Sequence, residues 1–151
     1  MSGVGPRPHP VHIVPTEQRD EHGLGVIDEA RCLQLLEQER IGRLGLSVGS
    51  LPVILPVNYV VQHGCIVFRS EEGDKVHAAR HGDVACLEVD RFDRFEHIGW
   101  SVLATGRLRL APPERLDAYE RLPIVPWALR PDSTIIELSI EILSGRSIAH
   151  S

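Results

Sequence analysis

The stretch VILPVNYVVQHGCIVFRSEEGDK, residues 53–75, predicts two strands of an antiparallel sheet and the loop that follows them. Two apolar runs, residues 53–61 and 65–70, are joined by Gln62-His63-Gly64, a short connection typical of a β-hairpin. Pro56 interrupts the first run. The order of strands and turns therefore favours hairpins over alternating strands and helices.

The loop after this hairpin carries the only lysine of the chain, Lys75, among 16 basic side chains. A strand end followed by a hydroxyl, here Ser70, a glycine and a lysine can hold a phosphate through loop N–H groups and a compact charge. The alternative is a solvated surface lysine in an acidic turn, beside Glu71, Glu72 and Asp74. This segment alone leaves both interpretations open.

The remaining elements extend the β pattern on both sides. Asp28 is placed to cap a helix that carries Cys32, Leu33, Leu35 and Leu36 on one stripe and ends near Arg40. Further strands are predicted at residues 41–48, 84–90, 100–110 and 134–143, and further helices at residues 76–80 and 112–122. The count predicts a mainly β fold, a six-stranded antiparallel barrel with peripheral helices.

Composition narrows the class of protein. At 151 residues and a net charge of −5, we expect one domain with little electrostatic support for nucleic-acid binding. Residues 1–25 are predicted to be a disordered Pro/His-rich tail, and residues 26–151 the domain. The N-terminus lacks a signal-peptide pattern and no stretch is long enough to span a membrane, so we expect a cytoplasmic location without membrane contact.

No metal site is expected from the sequence. The three cysteines, Cys32, Cys65 and Cys86, show no CxxC spacing and are expected to be reduced thiols. His77 and His81 are four residues apart on a predicted helix, but no third ligand lies nearby in the sequence.

Six segments in this order resemble the FMN-binding split-barrel proteins related to pyridoxamine 5′-phosphate oxidase. The segments are CLQLLEQERIGRLGL, LPVILPVNYVV, HGCIVFRSEEGDK, ACLEVDRFD, GWSVLATGRLRL and LPIVPW. The resemblance runs from about residue 27 to residue 148. It implies a split β-barrel, FMN as the cofactor, and a homodimer whose two chains share each flavin site.

The resemblance also implies a set of cofactor-binding residues. The second strand is expected to run along the flavin ring, the end of the next strand and its loop to hold the phosphate, and the fifth strand to reach the flavin of the partner chain. These residues are Pro56, Val57, Asn58, Tyr59, Val60 and Val61; Arg69, Ser70 and Lys75; and Trp100 and Ser101. Flavin sites need an apolar wall, a few directed hydrogen bonds and cations at the phosphate.

Departures from the oxidase argue against pyridoxamine phosphate oxidation. Pro56 and Val61 stand where the oxidase has arginine and lysine, Val76 replaces a second basic residue, and Gly145-Arg146-Ser147 replaces a substrate-gripping Arg-Leu-His segment. We expect an FMN-dependent oxidoreductase acting on an unidentified small molecule, with its catalytic residues unknown. The alternative is a non-catalytic flavin or haem carrier. A deazaflavin is a further option, disfavoured because its anionic tail would meet an acidic loop.

Overall fold

The computed structural model of the protein describes residues 11, 14–124 and 133–148. Within these residues the elements follow in the order β1 (Gly25–Ile27), α1 (Glu29–Gln38), β2 (Ile41–Val48), β3 (Leu51–Gln62), β4 (Cys65–Ser70), α2 (Asp74–His81), β5 (Val84–Asp93), β6 (Ile98–Leu110), α3 (Pro113–Tyr119), β7 (Thr134–Ser139) and β8 (Ile142–Ile148). Residues 125–132, which include Trp127 of the segment LPIVPW, lie outside the described residues.

Six of the strands form a closed ring. Neighbouring strands pair in the order β6-β5-β2-β3-β4-β7, and β7 pairs back with the end of β6 to complete it. All of these pairs are antiparallel. The predicted mainly β, six-stranded antiparallel architecture with peripheral helices is thereby confirmed. Strands β8 and β1 extend the sheet outward from β6.

Helix α1 begins where its sequence predicts. The Asp28 side chain accepts a hydrogen bond from the Arg31 N–H at 2.8 Å, the contact that an N-cap aspartate makes. Cys32, Leu35 and Leu36 are buried, whereas Leu33 at the rim of the predicted stripe is partly exposed. The cap and the apolar stripe together fix this helix against the sheet.

The prediction of one final strand at residues 134–143 is wrong, because two strands, β7 and β8, occupy this part of the chain. β6 pairs with β8 along residues 99–105 and with β7 along residues 108–110, so the chain must step from one pairing to the other. At the step, a Cβ on Gly106 would lie 1.7 Å from the Ser139 carbonyl oxygen, so only glycine fits there. The Glu141 N–H donates to the Thr105 carbonyl at 3.0 Å across the break.

Part of the predicted N-terminal tail packs against the sheet. Val14 is buried, the Val26 N–H donates to the Gln18 carbonyl at 2.7 Å, and Arg146 Nε donates to Asp20 Oδ2 at 2.9 Å. The domain boundary predicted at residue 26 therefore has packed residues on its N-terminal side.

Two apolar clusters stabilise the fold, and β4 contributes to both. Its side chains alternate, so Ile66 and Phe68 join the main core while Cys65 and Val67 join a second cluster with Tyr119 of α3. This alternation decides which way each residue at the end of β4 points.

Candidate functional site

Strand β3 changes partner halfway along its length. Residues 51–58 pair with β2, and residues 59–62 pair with β4 on the opposite edge. Within the described residues, no strand pairs with the second edge of β3 along residues 51–57. Pro56 lies in this part of the strand, where its missing N–H disrupts no ladder. The unpaired edge offers backbone groups to a ligand.

The side chains of this strand divide between the core and the surface. Val57 and Tyr59 are buried, Pro56 is exposed, and Asn58 is half-buried. The Tyr59 hydroxyl donates to the Leu36 carbonyl at 2.6 Å, and burial raises the pKa of this tyrosine. Its ring therefore packs beneath α1 and leaves only its backbone available at the strand surface.

Val60 and Val61 are both half-buried and lie on different sides of the strand. Val61 packs on the main core, and Val60 packs on the second cluster beside α3. Among residues 56–61, Pro56 and Asn58 are thus the side chains closest to solvent on the side away from the core.

The end of β4 and the start of α2 form a candidate anion site. Ser70 is buried and donates to the Glu71 carbonyl at 2.9 Å. Gly73, with φ of 154°, precedes the helix, and no side chain caps it. The first N–H groups of a helix attract anions when no side chain satisfies them. Lys75 lies in this first turn, half-buried, and burial lowers its pKa while the charge of Glu71 opposes the shift.

Two arginines next to this loop are already engaged by carboxylates. Arg80 makes a forked contact to Glu72 at 2.6 and 3.3 Å, which neutralises one of the loop acids. Arg69 donates to Glu120 at 2.6 Å, on the α3 side of β4. Because successive strand residues face opposite sides, Arg69 points away from the side on which Ser70 lies. The structure brings Ser70 and Lys75 to one end of β4 and directs Arg69 elsewhere.

Trp100 and Ser101 differ in the same way. Trp100 is buried in the main core, while Ser101 is half-buried on the outer side of β6. Ser101 lies in register between Asp90 of β5 and Arg146 of β8. Of the two, Ser101 is the side chain available to a partner molecule.

A charged cluster on the same outer side was not foreseen from the sequence. Arg43 Nη1 lies 3.2 Å from Glu88 Oε1 and 3.2 Å from Asp90 Oδ2, so one guanidinium serves two carboxylates. Desolvation, together with the hydrogen bond and charge of Asp90, raises the pKa of Glu88 to about 7, and Arg43 opposes this shift. Alternation of Glu88 and Asp90 along an exposed strand face is the signal that the sequence offers.

Arg91 and Asp93, near the end of β5, have separate partners. Arg91 is hydrogen-bonded to Glu39, and Asp93 accepts the N–H of Phe95 at 2.9 Å in the turn between β5 and β6.

Comparisons with known proteins agree with this architecture. The sequence profile of the family described as pyridoxamine 5′-phosphate oxidase matches residues 28–147. An uncharacterized protein of Mycobacterium tuberculosis is 32% identical over 132 residues, which cover 83% of this chain and 86% of that protein. The FAD-binding protein of Mycobacterium smegmatis superposes with a TM-score of 0.68 at 28% identity, covering 83% of this chain and 98% of that one.

A second structure from Mycobacterium smegmatis, of a protein that binds FAD and haem, superposes with a TM-score of 0.61. It is 16% identical and covers 82% of this chain and 72% of that one, so this likeness concerns the fold alone. The profile match over most of the sequence shows that this chain belongs to the pyridoxamine 5′-phosphate oxidase family, and the resemblance expected from its strand segments is confirmed.

Two further findings bear on the kind of site. No group of three or more His, Cys, Asp or Glu side chains within residues 14–124 and 133–148 is arranged to hold a metal ion. None of the helices in these ranges is long and apolar enough to cross a membrane.

Proposed function

We propose that this chain binds a flavin by its phosphate and acts as a flavin-dependent oxidoreductase on a small molecule. The observation that carries the proposal is the candidate anion site, where buried Ser70, the uncapped start of α2 and half-buried Lys75 follow one another at the end of β4. An ammonium and the first N–H groups of a helix in one loop suit a phosphate group. The FAD-binding protein of Mycobacterium smegmatis, 28% identical over most of this chain, supports the same class of ligand.

Each part of the chain has a role in this proposal. The edge of β3 at residues 51–57, with which no strand of the described residues pairs, would meet the polar edge of the flavin ring, next to Asn58. Ser70, Lys75 and the start of α2 would hold the phosphate. The bound flavin would supply the transfer of a hydride or electrons, and the protein would bind and orient it. No side chain at this site has a geometry that assigns it as a proton donor or acceptor.

FMN is the form of flavin that we propose, and FAD shares the phosphate next to the ribityl chain. A deazaflavin with an anionic tail is disfavoured because Glu71 and Asp74 add negative charge to the loop, although Arg80 neutralises Glu72. Oxidation of pyridoxamine phosphate is not proposed. Arg146, the arginine of the C-terminal strand, is bound to Asp20 at 2.9 Å, and the basic residues that flank the second strand in the oxidase are Pro56 and Val61 here.

A homodimer completes the proposed site, and the outer face of the sheet is the surface that we assign to it. We define the outer face by the row that runs in register across β3, β2, β5, β6 and β8, namely Ile54, Gly45, Cys86, Thr105 and Ile142. Small residues fill the middle of this row, and exposed isoleucines project at both ends, at 72% and 65% exposure. Exposed apolar side chains in a row on one sheet face offer a surface that a second copy can cover in a two-fold interface.

Titration of flavin fluorescence tests the cofactor proposal. The full chain would be titrated separately with FMN, FAD, a deazaflavin and haem. We expect FMN to bind, and Lys75→Ala to weaken it about ten- to a hundredfold, because a charge-assisted bond contributes roughly 1.5–3 kcal/mol. Lys75→Arg is expected to recover part of the affinity, since a planar fork replaces a compact charge.

Arg31→Ala is the matched control, because Arg31 is a cation in the first turn of a different helix, α1, where it contacts Gln34. It is expected to bind FMN like the unmodified chain. Equal FMN affinity in Lys75→Ala and Arg31→Ala would return Lys75 to a solvated surface role. Binding of FAD but not FMN would retain the flavin class and correct the particular flavin.

The alternative is a non-catalytic flavin or haem carrier. It is favoured by the finding that no side chain at the described site is assigned as a proton donor or acceptor. Reduction of the bound flavin by NADPH, followed by its reoxidation by a small-molecule acceptor, supports the oxidoreductase. A colourless protein that gains a Soret band on haem titration supports the carrier.

A further inference from the structure

The outer face carries one feature that its apolar residues do not explain. Next to the row of small residues lies a second row in register, Pro56, Arg43, Glu88, Leu103 and Ser144. Arg43, Glu88 and Asp90 put three charges of net −1 among exposed apolar side chains, with Ile41, Ile54 and Leu103 at 54%, 72% and 40% exposure. A second copy seated here would cover two such clusters.

We infer that closing the outer face against a second copy takes up a proton at the Glu88–Asp90 pair, so that assembly strengthens as pH falls. This inference rests on the homodimer of the proposed function. It concerns the regulation of that assembly, and it assigns a role to residues that the flavin site does not use.

The geometry supplies the reason. Glu88 and Asp90 are two residues apart on one strand face and share a single guanidinium nitrogen at 3.2 Å each. With one arginine for two carboxylates, one negative charge is left to water, and both side chains are partly exposed to it, at 33% and 23%. Covering the face removes that water, which disfavours the ionised form of a carboxyl that has no cation of its own.

Among the described residues, the neighbouring strands provide no other cation to offset this charge. From β6, Leu103 faces Glu88 and Ser101 faces Asp90, and neither is charged. On β5 itself the next residues on the same side are Cys86 and Phe92. Beyond β6, Arg146 of β8 lies in register with Ser101, but its guanidinium is bound to Asp20. Beyond β2, Pro56 and Asn58 of β3 are uncharged.

Protonation of one carboxyl per copy resolves the conflict without new contacts. A protonated Glu88 can donate to Asp90, and Asp90 keeps its ion pair with Arg43, so each cluster becomes neutral. Burial already raises the pKa of Glu88 to about 7 in the single chain, close to the range in which this proton would be exchanged. Proton linkage gives the direction of the pH dependence. If the pKa of Glu88 is higher in the dimer, the stabilisation of the dimer by this proton is complete below the pKa of the single chain. It is lost as pH rises through the pKa in the dimer.

Sedimentation velocity over a concentration series tests the inference on the full chain. The dimer dissociation constant would be measured at about pH 6 and about pH 8. Two protons are taken up per dimer, so a further rise of about one pKa unit on assembly predicts roughly thirtyfold weaker association at the higher pH. Glu88→Gln imitates the protonated side chain and is expected to dimerise tightly, with little dependence on pH.

Glu96→Gln is the control, because Glu96 is an exposed acid in the turn between β5 and β6 and lies off the outer face. It should keep the pH dependence of the unmodified chain. The carboxyl of Glu88, followed by carbon-13 NMR, should titrate at higher pH in concentrated than in dilute protein.

The outcomes separate the two proposals. A dimer of equal strength at both pH values overturns the proton uptake and leaves the homodimer intact. A monomer under all conditions overturns the homodimer and the inference together. Equal pH dependence in Glu88→Gln and the unmodified chain overturns the role of Glu88 and directs attention to the histidines.

Discussion

Two regions of this protein combine carboxylates with arginines, and they do so in opposite proportions. Beside α3, Glu137 is fully buried and accepts hydrogen bonds from Arg109 at 2.7 Å, from Arg115 at 2.8 Å and from the Tyr119 hydroxyl. On the outer face, Glu88 and Asp90 share Arg43. The first carboxylate has three donors to itself, and the second pair has one arginine between them.

The difference shows in how the two sites ionise. Burial alone would raise the pKa of Glu137, but the bonds from Tyr119, Arg115 and Arg109 hold it below its ordinary value. On the outer face the donors are too few, and the pKa of Glu88 is raised. A buried carboxylate with all its donors in place stabilises the fold in one charge state. An exposed pair with too few donors is able to change charge when its surroundings change.

Removing the buried carboxylate is the largest expected effect. Glu137→Ala leaves Arg109, Arg115 and Tyr119 without their common acceptor beside the second apolar cluster. Loss of one partner from a buried charged network costs about 3–5 kcal/mol, and the lower end is expected because Arg109 is half-exposed to water. Urea unfolding of the variant and the unmodified chain measures it. A loss under about 1 kcal/mol would show that the network does not hold α3 to the sheet.

The second largest expected effect is the pH dependence of the free energy of unfolding that Glu137 causes. The unfolded chain should bind a proton at Glu137 near its ordinary pKa of 4.5, and the folded chain only at lower pH. Its stabilising contribution is therefore complete above about pH 4.5 and is lost as pH falls through the lower folded value. Unfolding experiments at a series of acidic pH values should show a steeper loss in the unmodified chain than in Glu137→Gln. Parallel curves would place the acid sensitivity in other carboxylates.

The cap of α1 gives a smaller effect of a local kind. Asp28→Ala removes the hydrogen bond to the Arg31 N–H, and N-cap replacements of this type cost about 1 kcal/mol. Asp28→Asn retains an acceptor and should recover most of the loss. Thermal unfolding of the two variants distinguishes the hydrogen bond from the charge, and an equal loss in both would assign the effect to the helix dipole.

Local patterns predicted the parts of the molecule that depend on neighbouring residues. The bounds of β2 and β4 and the Asp28 cap follow from alternation and capping chemistry within a few positions. The same alternation also places Arg69 and Ser70 on opposite sides of β4, whereas the sequence analysis assigned both residues to the phosphate. Ser70 and Lys75 were predicted as phosphate-binding residues because a strand end and a helix start are adjacent in the sequence, and this role stays a prediction.

Contacts between residues that are far apart in the chain were not predicted from the sequence. The break between β7 and β8 depends on the close approach of Gly106 to Ser139, which only the change of partner along β6 imposes. Arg43 meets Glu88 and Asp90 across 45 and 47 positions of the chain, so no local spacing reveals the cluster. Residues that share a charge across strands become visible only once the register of the sheet is known.

The smallest expected effect concerns the stability of the single chain on the outer face. The folded pKa of Glu88, about 7, lies above its unfolded value of 4.5. The folded chain therefore holds this proton more tightly between these values, and stability falls as pH rises through that window and is level above it.

Glu88→Gln is expected to remove this pH dependence of stability. Because Asp90 still pairs with Arg43 in the variant and the cluster is partly exposed, it should be more stable than the unmodified chain near pH 8 by at most about 1 kcal/mol. Chemical unfolding at concentrations where sedimentation shows a single species measures this difference. A variant that is less stable at every pH would mean that the Glu88 carboxylate stabilises the fold through Arg43. Glu88 and Glu137 would then both stabilise the fold as carboxylates and would differ only in how much.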